Sequence, residues 1–61
     1  MNNYGTKVIG GHKYQIVKYA NSRREADTEA YHYRRHEGLT ALIRSVNSGK
    51  YLGTYMILVR K

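Results

Sequence analysis

Apolar and polar residues alternate along four short stretches of this chain, and in a fifth the apolar positions recur every three to four residues. Residues 6–9 and 13–20 follow a period near two, the pattern of a strand with one covered face. Between them lies Gly10-Gly11-His12. Paired glycines between β-rich runs signal a hairpin, because primed turns need positive φ. From residue 22 to about 37 the period changes. Ala26, Ala30 and Tyr33 recur at i, i+4 and i+7, which gives one narrow apolar stripe on a helix. Ser22 followed by Glu25 forms a capping box at its start, and Gly38 supplies a left-handed cap at its end. Residues 39–46 and 51–60 are again rich in β-formers, with the turn cluster Asn47-Ser48-Gly49-Lys50 between them. Residues 1–5 carry no pattern and read as a flexible tail.

The element order is therefore β-β-α-β-β, an α+β fold. A strand–helix–strand connection crosses over right-handed and sets the second and third strands parallel. The fourth strand is the most apolar and suits a central position. The expected architecture is one four-stranded mixed sheet, order 1-2-4-3, with the single helix packed on one face. Alternation then assigns the faces. Leu39, Ala41, Ile43, Tyr55, Ile57 and Val59, with Tyr14 and Ile16, turn towards the helix. Val17, Tyr19, Leu42, Met56 and Leu58 turn away, together with Lys13, Gln15, Arg44, Thr54 and Arg60. Contiguous exposed apolar surface marks an interface, so the first five are candidates for a dimer or partner face.

Tyr14-x-Ile16, then Ala26 and Ala30, then Arg35-x-x-Gly38-x-x-Ala41-x-Ile43, then Tyr55-x-Ile57-x-Val59 together resemble SPOR-type repeats and small basic proteins of similar pattern. The resemblance covers about three quarters of the chain and rests on core spacing. It implies the β-α-β-β half of a ferredoxin-like module. SPOR domains bind glycan in the cell envelope; what is carried over here is the fold.

Composition adds the chemistry. A chain of 61 residues has room for one domain and one small core, of marginal stability unless reinforced. The absence of cysteine excludes disulfides and thiolate metal sites, which leaves a homodimer as the natural reinforcement. No signal-peptide pattern opens the sequence and the longest apolar run, residues 56–59, is too short to span a bilayer, so a cytoplasmic location is expected. Eleven Lys and Arg against four acids give a net charge of +7. Such an imbalance is an argument about partners: nucleic acid, DNA or RNA, or an acidic protein.

The helix concentrates the charge. Arg23-Arg24 and Arg34-Arg35 are eleven residues apart, close to three turns, so the pairs share a side roughly 16 Å apart. In projection Arg24, Tyr31 and Arg35 point away from the core, while Arg23 and Arg34 border the stripe and Asp27 lies within ion-pair reach of either early arginine. Each arginine can fork onto two phosphate oxygens. Lys18, Arg44, Lys50 and Arg60 extend the basic surface across the sheet edge. The sequence-based reading is a small nucleic-acid-binding protein working through phosphate contacts with little base readout. The alternative is an adaptor or inhibitor of an acidic protein. The open face, with Tyr19 as its one aromatic and without the aromatic-glycine motif of RNA-recognition modules, suits nucleic acid, a protein partner or a second copy of the chain.

Enzymatic chemistry finds no support. All four carboxylates lie on the helix segment, the serines fall at cap or turn positions, and no glycine-rich loop joins strand to helix. Glu29, His32 and His36 have a spacing compatible with a metal, yet they lack the His-Glu-x-x-His order of a hydrolytic zinc helix. No cofactor or metal is expected.

Overall fold

The computed structural model describes residues 4–61; the part of the expected tail at residues 1–3 lies outside the described residues. Strands β1 (Thr6–Ile9) and β2 (His12–Ala20) are followed by helix α1 (Arg23–His36), then β3 (Thr40–Ser45) and β4 (Tyr55–Arg60). The sheet order is β1-β2-β4-β3. Every neighbouring pair is antiparallel, so the sheet is antiparallel and not mixed. The parallel relation of β2 and β3 is real, but β4 lies between them. That position explains the strand's composition: Met56, Ile57, Leu58 and Val59 are all buried, two on each face.

Gly10 and Gly11 close the first hairpin with φ of 59° and 81°, a two-residue turn that non-glycine side chains resist. The helix begins with a variant of the capping box, whose return bond goes to Asn21 in place of the N-cap Ser22 amide. Ser22 Oγ accepts the Glu25 amide at 3.1 Å, and Glu25 Oε1 reaches back to the Asn21 amide at 3.3 Å. Its stripe is small where it meets the sheet. Ala26 and Ala30 are fully buried and bring the helix backbone close to Ile57, Ala41 and Val59, while Tyr33 fills the remaining space.

Three further expectations change. First, β2 carries a bulge: Ile16 pairs with Leu58 and Lys18 with Ile57, so one extra residue enters at Val17. The phase of the strand shifts there. Tyr14, Ile16 and Tyr19 lie on the helix-free face, whereas Val17 packs beneath the helix with Ala20. The sequence-based assignment reversed Tyr14, Ile16 and Val17 because strict alternation cannot accommodate an inserted residue. Second, residues 51–54 are not strand. They fold back in turns, with mutual bonds between Val46 and residues 53–54 closing the loop at 3.0 and 3.1 Å. Third, residues 4–5 are tied down, since the Gly5 carbonyl accepts the Ile16 amide at 2.9 Å.

Candidate functional site

The helix spends much of its charge on itself and its neighbours. Arg23 Nε meets Asp27 at 3.1 Å. Arg34 Nη2 donates to the Ala41 carbonyl at 2.8 Å, closing an otherwise free acceptor on the edge strand β3. Lys18, placed on the helix side by the bulge, meets Glu29 at 3.1 Å and Glu25 at 3.4 Å. The Glu29 hydrogen bond holds the Lys18 ammonium above the ordinary lysine range, outweighing a burial effect that lowers it, with Glu25 adding to the rise. Arg35 lies 5.7 Å over the exposed Tyr31 ring, and Arg24 makes no ion pair among the described residues. His32 and His36 stack obliquely at 4.9 Å, with His32 3.9 Å from Glu37. No group of three metal-ligating side chains forms among the described residues.

Charge counting sharpens the point. Residues 23–37 contain four arginines and all four of the chain's carboxylates, so the segment is formally neutral. The whole of the +7 comes from Lys7, Lys13, Lys18, Arg44, Lys50, Arg60 and Lys61, which lie on the strands, the β3–β4 loop and the C-terminus. Lys18 is paired. Lys7 opposes Tyr14 and Arg44 opposes Met56 in register, which puts both on the helix-free face. Arg60 is there too, its guanidinium 5.6 Å from the Tyr14 ring.

That face is concave. A cavity of about 510 Å³ is lined by Lys7 and Ile9 from one edge strand and by Arg44 and Ser45 from the other, with Tyr19 and Met56 from the two strands between. Val46, Asn47, Ser48, Lys50 and Tyr51 complete it from the β3–β4 loop. Both edges border one hollow because the sheet curls, as a bulge on a central strand promotes. The buried Met56 forms the floor, the half-buried Ile9, Val46, Tyr19 and Tyr51 form walls, and the exposed Lys7, Arg44 and Lys50 stand on the rim. No carboxylate lines it among the described residues.

The walls are aromatic. Tyr19 and Tyr51 stack in parallel, with centroids 3.8 Å apart and planes at 4°. Tyr4 closes on both edge-on, at 5.1 and 6.1 Å, and Lys50 Nζ sits 5.8 Å from the Tyr51 ring. Burial pushes the Tyr19 phenol up, and its neighbours Tyr51 and Tyr4 push further in the same direction.

The candidate residues therefore separate. Arg44, Lys50 and Tyr19 come together in the hollow, and Arg60 lies on the same face. Arg23, Arg24, Tyr31, Arg34 and Arg35 stay on the helix, and Lys18 is bound to it. Of the residues expected to form an apolar partner face, Leu58 is fully buried and Met56 nearly so, Val17 is half-buried under the helix, and Leu42 and Tyr19 are partly exposed on the helix-free face. Sequence reasoning missed Lys7, Tyr51 and Tyr4. Alternation in β1 contained the signal for Lys7; nothing local placed the other two. No protein-family model, curated protein or solved structure matches this chain. No helix among the described residues is long and apolar enough to cross a membrane.

Proposed function

We propose that this protein is a small non-enzymatic nucleic-acid-binding domain whose phosphate contacts are made by the curled, helix-free face of its sheet. The observation that carries the reading is the pairing of Lys7, Arg44 and Lys50 with an acid-free concavity, while the arginine-rich helix is formally neutral. Cations not satisfied by nearby carboxylates are available to phosphates, and each phosphate neutralised releases counterions. An acidic protein partner would want broad apolar contact area beside the cations, and four apolar residues of this face, Tyr14, Ile16, Met56 and Leu58, are buried within the chain. A cytoplasmic location, where nucleic acid is at hand, fits the same reading.

The test is a titration of labelled DNA and RNA at two salt concentrations. With three or four phosphates engaged, log affinity should fall against log salt with a slope of about −2 to −3 on a single strand. Combined Lys7→Glu, Arg44→Glu and Lys50→Glu should abolish the interaction. Failure of the unsubstituted protein to bind any nucleic acid at low salt refutes the proposal.

A further inference from the structure

Phosphate contacts alone do not require a hollow with aromatic walls, and the hollow has a shape and lining that suit more than phosphate. Its volume of about 510 Å³ falls within the range of roughly 300–1,000 Å³ typical of small-molecule sites. Its floor is apolar, its walls include two tyrosine rings, and its rim is cationic. Ser45, Asn47 and Ser48 add short polar side chains of the kind that meet base edges. Building on the phosphate-binding reading, we infer that the hollow receives one unpaired base, packed against the Tyr19–Tyr51 pair over Met56, while its flanking phosphates meet Lys7, Arg44 and Lys50. The protein therefore selects single strands.

The selectivity follows from geometry. In a duplex the bases are stacked and paired inward, so only the backbone reaches a concave protein surface; a single strand can turn a base outward onto an aromatic wall. Stacking on an aromatic is worth about 1–3 kcal/mol per base and tolerates any base, because every base has a π-face. Little sequence preference is expected.

The deciding probe is an abasic strand, which has the phosphates and lacks the bases. Binding of labelled single strands, RNA and DNA, of about ten nucleotides is compared with the matching abasic strand and duplex on the unsubstituted protein. The expected result is an affinity about five- to 160-fold higher for the base-bearing strand. Because the chain has no tryptophan, its tyrosine emission is unmasked and should be quenched by that strand and unaffected by the abasic one. Tyr51→Phe should retain the preference and Tyr51→Ala should lose it. Equal binding of base-bearing, abasic and duplex forms overturns this inference and leaves the phosphate reading standing. Absence of binding by all of them overturns both.

Discussion

Tyr19 lines the hollow with one ring face on Tyr51 and its plane perpendicular to that of Tyr4. Its phenol is held neutral by burial first and by the two neighbouring hydroxyls second. A folded value above the ordinary 10.0 means that folding favours the protonated form. The contribution is whole below about pH 10 and is lost as pH rises through the folded value. Ultraviolet titration should show a late step above the ordinary 10.0 that belongs to Tyr19, and Tyr51→Ala should lower it. An unchanged late step in that variant would separate Tyr19 from its stacking partner. Lys18 runs in the same direction for a different reason. Its raised value rests chiefly on the Glu29 hydrogen bond, so its contribution is intact below about pH 10.5 and is lost above. With the lysine side chain 37% exposed, screening limits the effect, and Lys18→Met should cost less than about 1 kcal/mol in denaturant unfolding.

At the scale of elements, the β3–β4 loop decides where Tyr51 goes. Gly53 adopts φ of 87°, and its amide bonds the Val46 carbonyl at 3.1 Å. Only a residue at ease with positive φ allows the chain to turn there, so Gly53→Ala should cost about 1–2 kcal/mol. It should also disturb the Tyr19–Tyr51 stack, visible in the aromatic circular dichroism; a stable variant with an unchanged aromatic spectrum would contradict this account of the loop. The same segment shows what was legible in the sequence. The helix ends, the glycine hairpin, the strand order and the central place of β4 all follow from short-range pattern. The limits of β4 did not, because Tyr51 and Leu52 have strand propensity and only Gly53 interrupts them. The bulge at Val17 was hidden for a related reason: Tyr14, Ile16 and Val17, Tyr19 support either phase of the strand. What chooses between them is tertiary, since Val17 and Ala20 fill space under the helix while Lys18 reaches its glutamates. The expected open face depended on that phase: Tyr19, Leu42, Met56 and Leu58 share it as alternation predicts, and Arg44 lies on it opposite Met56, whereas Val17 was set there and packs beneath the helix.

The whole molecule is organised by charge as much as by hydrophobic cover. Its two surfaces differ in what their arginines and lysines face. On one side, carboxylates are interleaved with the helix arginines, and Lys18 is drawn into the same network. On the other, Lys7, Arg44, Lys50 and Arg60 surround tyrosines without a single carboxylate among the described residues. Paired arginines on a helix attract attention in a sequence because they are adjacent in the text, whereas the sheet cations are spread over more than fifty positions and converge only when the sheet curls. Charge reversal can weigh the two surfaces directly, since each variant changes the net charge by the same amount. Arg24→Glu with Arg35→Glu removes the two helix arginines that neither meet a carboxylate nor bond the sheet. Arg44→Glu with Lys50→Glu removes two rim cations. A uniform long-range effect of net charge would weaken nucleic-acid binding equally in both. A site in the hollow predicts a modest loss for the helix pair, and for the rim pair a much larger loss together with a shallower salt dependence, the log–log slope falling by about 1–2. Thermal unfolding should change little in either case, because all four residues are exposed. A larger loss in the helix variant would move the interface to the outer face of α1, around Tyr31.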